Sequence, residues 1–166
     1  AWLLEPYADD PGNPGIPMIA KDTISYETRR ALASGLQVCV HAIGDAAARL
    51  VLNAYEDALR DAPVARFPLR IEHAQVLHPD DIPRFAELGV VPSIQPTHCT
   101  SDMEWAEARL GATRIRSAYA WRSLIESGAS IAGGSDFPVE RPDPLLGIYA
   151  AVFRMDTDGR PASPEH

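Results

Sequence analysis

The 166 residues carry 15 basic and 23 acidic side chains, a formal net charge of −8, with 46% hydrophobic and 23% charged residues. That composition excludes a disordered tail or collagen-like repeat, and the acidic excess excludes a nucleic-acid partner bound by phosphate neutralisation. No apolar run reaches the roughly 18 residues of a membrane span, Ala1–Glu5 does not resemble a signal peptide, and two cysteines, Cys39 and Cys99, make no disulfide framework.

The expectation is an acidic, soluble, cytoplasmic single domain with no membrane or nucleic-acid partner. Fifteen prolines, about twice the usual share, cluster in Pro6–Pro17, Pro138–Pro144 and Pro161–Pro164. With Ala rather than Met at the start, this predicts a piece of a larger protein.

Residues 1–20 read as an irregular loop segment, punctuated by Asp10-Pro11-Gly12-Asn13-Pro14-Gly15. From residue 21 to 160, β/α repeats follow. Asp22 or Thr23 can cap a helix running to about Ser34, which Gly35 stops. Leu36–Val40 predicts a buried strand ending in His41. Asp45 can cap the next helix, with an apolar stripe of Ala47, Leu50, Val51, Ala54 and Ala58, broken by Pro63 and Pro68. Leu69–His73 predicts a second strand and Pro79–Leu88 a helix closed by Gly89.

Val90–Gln95 is a third strand, against which Pro92 counts. Pro96–Gly111 reads as a longer loop with a short helix around Asp102–Leu110. Ser117–Ser127 predicts a helix ending at Gly128, Ser130–Gly134 a fourth strand, and Leu145–Met155 a final helix. Strands alternating with helices imply right-handed βαβ units and a parallel sheet.

Three polar residues fall at strand ends: His41, His73 and Asp136. In parallel sheets, buried on both faces, the C-terminal strand ends are where polar chemistry reaches solvent. Spacings of about one and two βα units place the three at equivalent points of the repeat. Alternation puts Cys39 on the face of His41, Ile71 on that of His73, and Ala132 and Gly134 on that of Asp136.

Two imidazoles and a carboxylate suit zinc or a similar divalent metal, which would activate a bound water, with a carboxylate moving its proton. Singly, each residue has a plainer role: a histidine as hydrogen-bonder, an aspartate after Gly-Gly-Ser as turn former. Their equivalent positions are what join them.

His98 follows the third strand and can contact substrate or be a satisfied loop histidine. His78 reads as structural. The Cys99–His98 neighbours point apart on an extended chain and make no nucleophile pair. Gly44-Asp45 resembles a phosphate turn without a supporting glycine motif. Arg114 and Arg116 read as solvated surface, though a substrate carboxylate could use either.

The segments LQVCVHAIGDAAARLVLNAYEDA, RIEHAQVLHPDDIPRFAELGVVPSIQPTHCTSDMEWAEARLG, YAWRSLIESGASIAGGSDFPVE and DPLLGIYAAVFR resemble the amidohydrolase superfamily, in particular its N-substituted formamide deformylase-like metal-dependent hydrolases. The similarity runs from about Trp2 to Pro161. It implies an α/β fold, a parallel (β/α) half-barrel corresponding to strands five to eight of a TIM-type (β/α)8 barrel.

By resemblance His41 and His73 are metal ligands after strands five and six. Asp136 is the strand-eight aspartate that touches metal and activates water, and His98 lies near the substrate. The implied reaction is hydrolysis of an amide-like C–N bond in a small molecule by metal-activated hydroxide, with zinc the first choice of metal.

The family's His-x-His pair and its bridging Lys or Glu are not found; the one lysine, Lys21, precedes the first helix. A complete barrel needs roughly 250 residues. The expectation is therefore an inactive fragment of an enzyme that self-associates through exposed strand edges. The alternatives are a non-catalytic α/β ligand- or partner-binding module and, last, a nucleotide-binding domain, which would need a glycine fingerprint after its first strand.

Overall fold

In the computed structural model the described residues are 1–60 and 67–161. The expected helix break at Pro63 and the end of the Pro161–Pro164 cluster lie outside them.

Four short strands, β1 (Cys39–Ala42), β2 (Arg70–His73), β3 (Val91–Ile94) and β4 (Ala132–Gly133), form one sheet in the order β1-β2-β3-β4. Every neighbouring pair is parallel, with Ala42 opposite His73, Glu72 opposite Ser93 and Ile94 opposite Gly133. Sequential parallel strands with helical crossovers make a barrel wall, and here a partial one.

Pro92 sits inside β3 without breaking it. Val91 donates its N–H to Leu69 on the β2 side, so the next residue faces the β4 side. There pairing begins only at Ser93 with Ala132, and the missing proline N–H costs no bond.

Helix α1 (Lys21–Ala33) packs on α2 (Asp45–Leu59). Ala and Leu favour α2, and Ala48, Val51, Leu52, Tyr55 and Ala58 are fully or nearly fully buried along it. Leu50 is only partly buried, because the buried arc is centred on Leu52 and Tyr55. A turn at Pro79–Asp81 leads into α3 (Ile82–Glu87). The main core lies between the sheet and α1, α2 and α3, around Ile71, Leu77, Phe85 and Val90. No described helix is long and apolar enough to cross a membrane.

Several boundaries differ from expectation. The α1 N-cap is Ala20, neither Asp22 nor Thr23, while Gly35 stops the helix at φ +69° as expected. Gly44 rather than Asp45 caps α2. The Asp45 carboxylate is engaged elsewhere, accepting from Leu4 N at 2.9 Å and Ala46 N at 2.9 Å.

Of the expected loop at Pro96–Gly111, Pro96–Asp102 is helical, as α4, and the short helix placed around Asp102–Leu110 is matched in part by α5 (Ala106–Arg114), kinked at Gly111 where φ is +77°. Proline at the first helical position is pre-set for a helix, and Cys99 and Leu110 anchor the pair in a second core with Leu3, Val76, Ile94 and Trp121.

The helix expected over Ser117–Ser127 is interrupted. Tyr119, at φ +52°, gives its N–H to Gln75 O at 2.7 Å, so only α6 (Trp121–Glu126) is α-helical. Asp143 caps α7 (Pro144–Phe153) by accepting from Leu145 N at 3.0 Å.

Candidate metal centre

Residues on the inner face of the sheet are polar. Arg70 pairs with Glu72 at 3.0 Å and donates to Ser93 Oγ at 2.5 Å, and His41 stands exposed one step along β1. Ile71, by contrast, lies in the helix-side core, fully buried.

Strict alternation would send His73 to the side of Ile71. It goes the other way because its backbone is left-handed, φ +75°, followed by Ala74 at +46°. The expected sharing of a face by Ile71 and His73 therefore fails. Asp136, three residues past the end of β4, is also left-handed at φ +55°. Left-handed non-glycine residues cost on the order of 1–3 kcal/mol each and persist where surrounding structure imposes them.

These turns gather the imidazoles. The His41 and His73 rings meet edge to face with centroids 4.4 Å apart, and the His98 ring stacks on His73 at 5.8 Å and 13°. His73 Nε2 lies 4.0 Å from Asp136 Oδ2. One ligand atom each from His73, His98 and Asp136 lies within 4.8 Å of the others.

The sequence expectation grouped His41, His73 and Asp136. The structure brings His98 into that group, with His41 edge to face against the His73 ring. Burial first, then the His41 and His98 imidazoles, push the His73 pKa down, with Asp136 opposing. A lowered pKa keeps the ring neutral, the form that ligates metal.

Two buried nitrogens, His73 Nδ1 and His98 Nε2, have no hydrogen-bond partner among the described residues. Buried polar atoms are rarely left unpaired, and unpaired imidazole nitrogens beside a carboxylate are the donor set a divalent cation accepts. The residues present therefore fit a metal. Asp136 keeps 42% of its side chain exposed, so water can reach it.

The cavity over the cluster has a volume of about 520 Å³. Three parts of its wall went unread in the sequence. Leu3 and Tyr7 belong to the supposed irregular loop, which is tied down by Leu3 N to Pro14 O at 2.7 Å and Ala8 N to Arg109 O at 2.9 Å. Gln75 follows His73 by two residues. Asp102 and Tyr119 come from elements expected to be loop and helix. Gln75 Nε2 donates to Asp102 Oδ2 at 2.9 Å and to Tyr119 Oη at 2.6 Å, and Tyr119 Oη donates to the same Asp102 oxygen. Burial, and next that bond, push the Tyr119 pKa up.

A larger hollow of about 720 Å³ runs along the free edge of β1 past Cys39 and His41. It shares Ala1, Tyr7, His41 and Ile43 with the cavity over the cluster.

Comparison with known proteins identifies the family. A model of the amidohydrolase family matches residues 1–165. The Bacillus subtilis (strain 168) protein YtcJ, named for an amidohydrolase, is 44% identical over 157 residues, covering 95% of this chain and 29% of its own length. The N-substituted formamide deformylase of Arthrobacter pascens is 28% identical over 137 residues, covering 82% of this chain and 25% of its own.

The crystal structure of a metal-dependent hydrolase from Pyrococcus furiosus superposes with a TM-score of 0.83 at 39% identity, over 92% of this chain and 31% of that one. The chain thus spans under a third of the length of each of these relatives.

Proposed function

The chain belongs to the amidohydrolase family, and on that premise we propose that the protein hydrolyses amide-like, non-peptide C–N bonds of a small molecule with the help of a divalent metal, zinc first. The observation that carries this reading is the approach of His73, His98 and Asp136 to within 4.8 Å, with two buried imidazole nitrogens unpaired.

His73, His98 and Asp136 are the donors, and His41, ring to ring with His73, is the fourth group of the set. A divalent metal there supplies Lewis-acid activation of the carbonyl and of the attacking water. Asp136 accepts the proton of the attacking water on its carboxylate and passes it to the leaving nitrogen. His73, held neutral by burial, keeps its lone pair for ligation. Gln75, Asp102 and Tyr119 line the wall against which the substrate lies.

A non-catalytic binding module would not need imidazoles and a carboxylate gathered at the strand ends, and nothing in the geometry favours it.

The experiment is elemental analysis of the purified protein, followed by anilide hydrolysis before chelation, after chelation and after restoring the metal. The reading expects near-stoichiometric metal, and turnover that is lost and regained with it. A folded, metal-free intact enzyme that hydrolyses no amide with added metal would overturn it, whereas residues 1–166 alone are expected to be inactive.

The free edges of β1 and β4 belong to the same reading. Unpaired strand edges recruit partners, and further strands of a longer chain or a second copy of this one would cover them. We expect residues 1–166 alone to self-associate through them, so sedimentation as a dilute, stable monomer counts against that part.

A further inference from the structure

Helix α4 carries His98 and Asp102 four residues apart. That spacing puts both on one face, one turn and about 5–6 Å apart at Cβ. His98 reaches the metal donors and Asp102 lines the same cavity.

Both hydrogen bonds to Asp102, from Gln75 and Tyr119, land on Oδ2. Oδ1 has no partner among the described residues and is not fully buried, and Asp102 lines the cavity. The network fixes the carboxylate's rotamer and leaves one oxygen to accept from something else. Among the described residues the one arginine of the cavity wall, Arg109, is already engaged by Asp9 at 3.1 Å.

We infer that Asp102 is a specificity-determining residue, whose free Oδ1 accepts a hydrogen bond from an ammonium or N–H group that the substrate carries about one helical turn from the scissile carbonyl. The substrate class is thus an amide with a second, hydrogen-donating nitrogen on its acyl side. This rests on the hydrolase reading and names the substrate class for it. The reaction itself is unchanged: water adds across the C–N bond, giving the carboxylic acid and the free amine.

The test compares β-alanine anilide with butyranilide, in which a methyl replaces the ammonium, on the intact, metal-loaded protein and its Asp102→Asn variant. Released aniline and metal content are both measured. A hydrogen bond between charged groups supports a preference of at least about tenfold in kcat/KM for β-alanine anilide. In Asp102→Asn the ratio should collapse to within about twofold of unity, mainly through KM for the amino substrate, with metal content retained.

Wild-type protein that shows no preference overturns the inference and needs no variant to do so. A ratio that survives Asp102→Asn also overturns it, since Asp102 would then only brace the Gln75 loop. In both cases hydrolysis of butyranilide leaves the hydrolase reading standing. Failure of the metal-loaded wild type to hydrolyse either anilide removes both.

Discussion

His73 meets His41 ring to ring at 4.4 Å although its register partner across the β1–β2 ladder is Ala42, on the opposite face from His41. The left-handed backbone at His73, φ +75°, makes that contact possible, and it separates two roles of one residue. We predict that His73→Ala and His73→Gly both lose metal, by at least about a hundredfold in affinity, since even supporting groups around a site cost 10–100-fold. The two variants should differ in stability. Glycine adopts positive φ freely, whereas alanine retains a cost of about 1–2 kcal/mol. Metal titration and urea unfolding of the pair check both halves, and equal stabilities would remove the strain argument.

Asp136 is expected to matter to the reaction more than to the fold. Its carboxylate is 42% exposed and stands 4.0 Å from His73 Nε2, so an amide of the same shape should be accommodated. Asp136→Asn removes the proton acceptor, and hydrolysis by the intact protein should fall by at least about a hundredfold. Near-normal turnover would take Asp136 out of the proton path.

The candidate metal centre was partly legible because it hangs on strand ends. His41, His73 and Asp136 stand out as polar residues at expected strand ends; in the fold His73 closes β2, while His41 lies one residue inside the end of β1 and Asp136 three residues beyond β4. What alternation does not carry is direction: a single residue at positive φ reverses it, and no composition rule marks His73 or Asp136 as left-handed.

The Asp102 wall was hidden for a different reason. PTHCTSD is rich in Thr and Ser, which compete with a helix through side-chain hydrogen bonds, so the segment reads as loop. Its helicity comes from packing, with Cys99 buried and α4 seated on α7. Once α4 is recognised, His98 and Asp102 fall on one face and the signal is plain.

Gly44 caps α2 beneath the N-terminal segment, and a Cβ added there would lie 1.9 Å from Trp2 O. The obstacle is backbone, so a rotamer change cannot relieve it. Gly44→Ala should cost on the order of 1–3 kcal/mol and loosen the Leu4–Asp45 hydrogen bond. Hydrogen exchange should then show faster exchange at Leu4 and Ala46 than in the parent. An unchanged exchange rate there would mean that the segment does not depend on this approach.

Tyr55 and Tyr119 are expected to set the alkaline limit of the fold. Burial is the first cause that raises both phenols above their usual pKa of 10.0, and at Tyr119 the bond to Asp102 adds to it. Tyr55, fully buried, donates to Arg70 O at 2.8 Å. The folded pKa lies above the unfolded one, so the unfolded chain releases these protons first as pH rises. The stability contribution is complete below about pH 10 and declines above it, by up to about 1.4 kcal/mol per pH unit for each phenol. Urea unfolding at pH 8.5 and pH 11 should show that decline. Tyr55→Phe and Tyr119→Phe, which cannot ionise, should each flatten it, whatever they do to stability at pH 8.5. A decline as steep in both variants as in the parent would assign the alkaline loss to other groups, Cys39 and Cys99 first, since burial raises both of those thiols as well.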